Sequence, residues 1–415
     1  MSEDKVYNII VVGAGVSGLF FSSINTSPGP KLIINNTVRP GLKLIASGGG
    51  QGNITNIVKI KEFIDKYGDN GKLIRKTLYK FNNLDLEQYL TGLGVEICIK
   101  DNNKVYLKEK PQNLIDKLLA KAKKNKFQLI TEEEIVDIEY NGIFKIKSQV
   151  GTIYKCQQLI IATGGKSYPA TGSNATIIPS LLRLGIAIKE LKPALTPVFV
   201  KNYPFEDLAG VSINKVKIKV IDRKKHQEEN SILFAHKYFT GPGILNISRY
   251  LESGTKIHIN YCPDLNFEMA VGKLIKLKEN NSIKTISAIS KTLNESEVVL
   301  PRRFIEKQLL RTELDDKGWL KEVSNNKLKD LMKLFFEDEY QVENTGGFKD
   351  SMVTAGGIAL EEIDLNKYEV KKYPGMYIVG EALDIDGSTG GYNIQFAFSS
   401  AFVANLSITN NSKPV

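Results

Sequence analysis

The sequence predicts an α/β protein whose main domain is built from both ends of the chain, with an all-β module and a helical module set between them. Three observations carry this. First, the apolar run Val6 to Val12 ends on a glycine turn. A helix-like stretch, Gly18 to Thr26, then leads to a second apolar run, Lys31 to Asn35. Strand, turn, helix, strand is the unit from which parallel sheets are made. Second, Val216, Ile218 and Val220 alternate with Lys215, Lys217 and Lys219, and Ile257, Ile259 and Tyr261 alternate with Lys256, His258 and Asn260. A period of two marks antiparallel strands with one wet face. Third, from Phe267 to Phe336 apolar residues recur at three- and four-residue spacing, as in Phe304, Ile305, Leu309 and Leu331, Leu334, Phe335.

Taken in order, residues 1–191 read as the first part of the α/β domain. Within them, 60–130 look mostly helical, with Leu114 to Ala122 the clearest stretch, and 128–162 carry short strands that end in Leu159-Ile160-Ile161-Ala162. Residues 192–264 are the β module and 265–337 the helical insert. Residues 338–415 return to the β module and to the second part of the α/β domain, and Ile394 to Asn405 is expected to be its last helix.

At about 150 residues per domain, 415 residues allow two or three domains. The composition, 42% hydrophobic and 25% charged, excludes a disordered or fibrous chain. No stretch approaches the ~20 apolar residues of a membrane span, and Ile9 to Val12 is too short for the core of a signal peptide. Cys98, Cys156 and Cys262 lie far apart, which argues against a disulfide framework, a zinc site or a dithiol pair. A protein of the reducing cytoplasm, without a metal, is expected. Lys and Arg exceed Asp and Glu, 56 to 46. The excess is spread along the chain and reads first as a solvated surface, but it permits an acidic partner, nucleic acid included.

Gly13-Ala14-Gly15-Val16-Ser17-Gly18 is a GxGxxG between a predicted strand and a predicted helix. That context, rather than the glycines alone, points to a dinucleotide. Gly13 permits the tight turn, Gly15 lets backbone approach a pyrophosphate, and Gly18 lets helix and strand pack closely. Val16 and Ser17 open the helix, whose free N–H groups and partial positive charge face the phosphates. The end of the second strand should carry an acid for the ribose; the chain has Asn35 and Asn36. Asn35 either hydrogen-bonds the ribose as a neutral amide or starts a loop.

Two later segments favour FAD over NAD. Ala162-Thr163-Gly164-Gly165 ends a strand, and Gly375 to Glu381 forms a strand that ends in an acid. Both turns resemble those of two-dinucleotide-fold flavoproteins, where the late acid bonds the ribityl chain.

With Ser47-Gly48-Gly49-Gly50-Gln51-Gly52-Asn53-Ile54-Thr55-Asn56, Phe234-Ala235-His236 with Thr240-Gly241-Pro242, Val353 to Ile358, and Gly380 to Asn393 added, nearly the whole chain resembles the BaiN-like flavoproteins, a group of aminoacetone-oxidase-family FAD-binding enzymes. The resemblance implies a two-dinucleotide-binding FAD domain with an inserted antiparallel β-barrel and a small helical insert. It implies an FAD-dependent oxidoreductase that moves a hydride between a small organic substrate and flavin N5. A catalytically altered flavin-binding protein or a tRNA-associated flavoprotein is the alternative. Substrate, electron partner and oligomeric state leave no mark in the sequence.

The expected cofactor residues extend beyond the first turn to Lys43, Ser47, Gly48, Gly49, Asn53 and Thr55 in the first loop, and to Ala162, Thr163 and Gly164. They continue with Gly380, Glu381 and Asp386, and with Gly390, Gly391, Tyr392, Asn393 and Ile394, where paired glycines would press backbone against the flavin ring. The family's Arg and Cys in the first loop are Gln51 and Gly52 here, so a cation and a thiol are expected to be missing beside the flavin. His236 is the candidate catalytic residue, on the family pattern alone.

Overall fold

In the computed structural model, which describes residues 5–100, 103–221, 226–279, 283–294 and 298–411, the run VYNIIVV forms the strand Val6–Val12, with Ile9, Ile10 and Val11 fully buried. It lies between Lys31–Ile34 on one side and Ile153–Ile161 on the other, parallel to both. The C-terminal strand Met376–Ile378 runs parallel to the far side of Ile153–Ile161, and Phe127–Ile130 flanks Lys31–Ile34. The two chain ends therefore share one parallel sheet. Its strands are apolar on both faces because helices cover them. Val16–Ile24 is one covering helix, and the last, Tyr392–Asn411, is twenty residues long and starts before the expected Ile394. Val16–Ile24 starts earlier than the expected Gly18 because a helix opens at the residue after its Gly15 cap.

Residues 60–130 are less helical than expected. Asn53–Asn56, Lys104–Leu107 and Ile97–Lys100 make a three-stranded antiparallel sheet. The β-branched and aromatic residues of ICIK and KVYL set this, and the run is too short for a helical period to show.

Contacts divide the chain into two units, Met1–Pro193 with Met352–Val415, and Ala194–Ser351. In the second unit the strands Val198–Val200, Phe239–Thr240, Gln227–Phe234, Ser212–Val220, Lys256–Asn260 and Asp338–Thr345 close an antiparallel barrel. Val216, Ile218, Ile257, Ile259 and Tyr261 point into it, fully buried, as their alternation requires. The helices Phe267–Leu277, Thr285–Leu293, Arg302–Arg311 and Asn325–Phe336 share the barrel's hydrophobic core, with Phe304 and Phe335 at its centre. One buried charge pair crosses that core. Arg311 donates from Nη1 to Asp338 Oδ2 (2.7 Å) and from Nη2 to Oδ1 (2.9 Å), and the Asp338 side chain is 1% exposed. No helix among the described residues is long and apolar enough to cross a membrane.

Candidate active site

Four sequence segments meet at the carboxyl ends of the parallel strands, the side on which open α/β sheets bind ligands. At Gly13 (φ +103°) a Cβ would lie 2.4 Å from the Ala162 carbonyl oxygen, so the glycine lets the two neighbouring strands end side by side. At Gly18 a Cβ would lie 2.0 Å from the Gly13 oxygen, which is the close helix–strand approach expected there. Gly15 differs: a Cβ on it would have nothing within 4 Å. The helix behind it has no side-chain cap and no acid in its first turn. An uncapped helix end beside open space is a cradle for an anionic pyrophosphate.

A chain of hydrogen bonds ties the other segments together. The Thr354 hydroxyl oxygen accepts from the N–H groups of Lys166 (2.8 Å) and Ser167 (3.0 Å), fixing the turn after Ala162-Thr163-Gly164. Thr354 N–H in turn donates to Glu381 Oε1 (2.9 Å), and Lys43 Nζ donates to Glu381 Oε2 (2.5 Å). Both oxygens of the expected ribityl-binding acid are thus engaged by protein, and Lys43 balances its charge. Thr354 lies in the Val353 to Ile358 segment, and its fixing of a turn nearly two hundred residues away is a tertiary effect that no local pattern reveals. Tyr168, at φ +52°, is a strained non-glycine residue in the same turn.

At the far end, Ser17 Oγ packs against Gly380 (φ +70°), whose N–H donates to Ser400 Oγ (3.0 Å). Gly390 and Gly391 lead into the last helix, but Gly391 is not glycine for the expected reason. A Cβ there would lie 2.4 Å from the Thr55 carbonyl oxygen and 2.6 Å from Asn53 Oδ1, so it would strike this chain before any ring. Thr55 also donates to Gln395 Oε1 (2.7 Å), stitching the first loop to the last helix. The Asn393 side chain braces its own loop, accepting from Gly387 N–H (2.7 Å) and donating to Gly387 O (2.9 Å). Tyr67 OH donates to Tyr392 O (2.7 Å), and Ile394 lies in the first turn of that helix. Burial pushes the Asp384 carboxyl up from its ordinary value.

Asn35 belongs to the loop. Its Oδ1 accepts from Ala14 N–H (3.0 Å) and its Nδ2 donates to Thr37 (2.8 and 2.9 Å), so it holds the glycine turn from the end of the second strand. Asn36 Nδ2 donates to Gly172 O (2.9 Å) and to Glu134 Oε1 (3.3 Å). Thr176 Oγ1 (2.8 Å) and Asn174 donate to the same carboxylate. Burial works against the Glu134 charge, but these three bonds hold its carboxyl below the usual range. The loop at 172–176 is thereby fastened to the end of the second strand. An open cleft of about 730 Å³, lined by Asn36, Thr37, Arg39, Leu42 and Gln149, lies beside it.

Gly48 and Gly49 both adopt left-handed backbone in the exposed turn Ser47–Gly50, and Ser47 Oγ donates to Leu44 O (2.8 Å). The two replaced family positions do not face a common centre. Gln51 Oε1 accepts from Lys100 Nζ at the surface (2.8 Å), and a Cβ on Gly52 would point at Leu107 and Pro111. His236 is exposed on the turn after Gln227–Phe234, and no carboxylate among the described residues pairs with it. Asp386 lies in the same loop as Glu381.

Near these glycine turns, Thr163 Oγ1 and Asn53 Oδ1, the latter beside Gly391, are buried with no hydrogen-bond partner among the described residues. Together with the bare helix end, these unsatisfied groups fit a polar dinucleotide with hydroxyl and N–H donors.

The sequence matches the HI0933-like protein Rossmann domain over residues 7–407. The chain belongs to this family. Among similar proteins is the ribosomal RNA dihydrouridine synthase of Escherichia coli K12, 26% identical over 95% of this chain and 96% of that one. The 3-dehydro-bile acid delta(4,6)-reductase of Clostridium scindens is 22% identical over 95% and 97%. Among solved structures, the open conformation of a flavocytochrome c3 fumarate reductase shares the fold at a TM-score of 0.50, covering 99% of this chain and 79% of that one, with 13% identity. The HI0933-like chain is thus a Rossmann-type α/β protein with an inserted antiparallel barrel.

Proposed function

We propose that the protein is an FAD-dependent reductase of carbon–carbon double bonds conjugated to a carbonyl, and that its substrate is a uridine of ribosomal RNA. The supporting observation is the similarity, end to end, to two ribosomal RNA dihydrouridine synthases. A dihydrouridine product differs from uridine by one hydride and one proton added across the ring double bond. A delta(4,6)-reductase acting on a 3-dehydro bile acid performs the same net addition on an enone, so one chemistry covers both relatives.

Bound FAD would supply the hydride. This chain's part is to hold and orient. The amino end of Val16–Ile24 and the open face of Gly15 would take the pyrophosphate. The cleft at Asn36–Arg39 would take the adenosine, and Thr163 and Asn53 would accept from the cofactor's donors. Glu381, its charge held by Lys43, would face the ribityl hydroxyls, and the first turn of Tyr392–Asn411 would stabilise negative charge on the ring, an effect of about 0.3–2 kcal/mol.

The test is turnover. Purified protein, reduced nicotinamide and unmodified rRNA transcripts are incubated, and the digested nucleosides are weighed. Dihydrouridine is expected. Reoxidation of nicotinamide-reduced flavin by a steroid enone, with its yellow colour returning and no dihydrouridine formed, would move the assignment to the second reading, a small-molecule reductase, which the bile-acid relative supports.

A further inference from the structure

Resting on the rRNA reading, we propose that Lys72, Leu73, Arg75, Lys76, Tyr79 and Lys80 form the platform on which a single RNA strand is held beside the active site. From residue 70 to 80 the sequence carries four cations and no acid. The helix Arg75–Lys80 buries Thr77 and Leu78 and turns Arg75, Lys76, Tyr79 and Lys80 outward. Lys72, Arg75 and Lys76 have no ion pair among the described residues, and Lys80 Nζ reaches only the Asn366 carbonyl (3.2 Å). Some lysines elsewhere are paired, Lys108 with Glu96 at 2.9 Å, Lys215 with Asp264 at 2.6 Å and Lys256 with Glu339 at 2.8 Å, while others, such as Lys59 and Lys201, have no ion pair among the described residues; what sets the 72–80 run apart is four cations close together with an exposed aromatic ring among them. A run of unneutralised cations repels itself and favours a polyanion.

Two apolar surfaces interleave with the charge. Tyr79 is 48% exposed and Leu73 53%. The Arg75 guanidinium lies 5.6 Å from the Tyr79 ring centroid. Cations that track phosphates, next to an aromatic face on which a base stacks, are the two parts of a single-strand binding surface.

The platform is also rigid and correctly placed. Just before it, Tyr67 OH donates to Tyr392 O (2.7 Å), Asn70 Nδ2 to Asp384 O (2.8 Å), and Lys66 O accepts from Ser388 N–H (2.8 Å). Three bonds thus lock residues 66–70 onto the 384–392 loop of the candidate active site. Just after it, Phe81 O accepts from Ser399 Oγ (2.6 Å) and Gln395 Nε2 (3.3 Å) of the last helix. The other basic run, Lys121 to Lys126, ends the helix Pro111–Lys124 and leads into the start of Phe127–Ile130, the opposite end of the parallel strands from the site.

The experiment is binding of a fluorescein-labelled oligouridylate to the full-length protein across a salt series. Each phosphate contact to a single strand adds about 0.7 to the salt slope. Arg75→Ala/Lys76→Ala/Lys80→Ala is expected to lower the slope by about 2, with flavin content unchanged. Tyr79→Ala is expected to weaken binding about tenfold at unchanged slope. Lys121→Ala/Lys123→Ala/Lys124→Ala is expected to bind as the parent does. If the second triple variant loses the slope and the first keeps it, the platform is misplaced while the RNA reading stands. If the parent protein shows no salt-dependent RNA binding yet reduces a steroid enone, the RNA reading and the platform fall together.

Discussion

Gly15 and Gly391 sit in the two glycine turns that the sequence singles out, and they are glycine for different reasons. Gly15 faces open space with ordinary backbone; Gly391 has φ +92° and backbone oxygen at the position of a Cβ. Gly15→Val is therefore expected to lose flavin while keeping the melting temperature of the flavin-free parent. Gly391→Ala is expected to lose at least about 2 kcal/mol of stability, with flavin loss following unfolding. Thermal melts read beside flavin absorbance separate the two. The same contrast explains what the sequence showed at this scale. The glycines of the first turn were legible because strand and helix flank them. The work of Asn35, Asn393 and Gln51 was not, because each amide spends its bonds on a local or distant partner that only the folded loop brings near.

At the scale of elements, two buried charges make opposite statements. Lys31 begins a strand, and its Nζ donates to Ser27 O (2.7 Å) and Asn25 O (3.2 Å). Burial, helped by the Lys126 charge, pushes its ammonium down to about 8 from an ordinary 10.5. The native state thus prefers Lys31 neutral. Its charge costs stability below pH 8, and that cost fades as pH rises from about 8 to 10.5, while the unfolded chain still holds the proton. The stability of the parent relative to Lys31→Met is expected to rise over that window by about 2 kcal/mol, read from urea midpoints at each pH. Asp338, by contrast, is the only acid touching the half-buried Arg311 among the contacts described, and Asp338→Asn strands that cation. A loss of about 3–5 kcal/mol is expected in the same assay. The alternation of Val216 to Val220 and Ile257 to Tyr261 made their strands legible. The short strands Ile97–Lys100 and Lys104–Leu107 were read as helix because four residues show neither period.

For the whole molecule, the fold follows from one register: Val6–Val12 beside Ile153–Ile161 beside Met376–Ile378. Each strand was visible as an apolar run ending at glycine. Their adjacency followed from the motif at their ends, since one long coenzyme needs turns from both chain ends. The inserted barrel and helices have their own core, which is why the composition changes so sharply at their boundary. The excess of ten positive charges reads as solvation in the sequence; the structure shows part of it gathered, unpaired, next to the site. The central claim is that both chain ends clasp one FAD. Protein purified without added cofactor, then denatured, should release a ligand with the mass of FAD at about one per chain. Release of a nicotinamide dinucleotide instead, or failure of added FAD to bind the refolded chain, would contradict it.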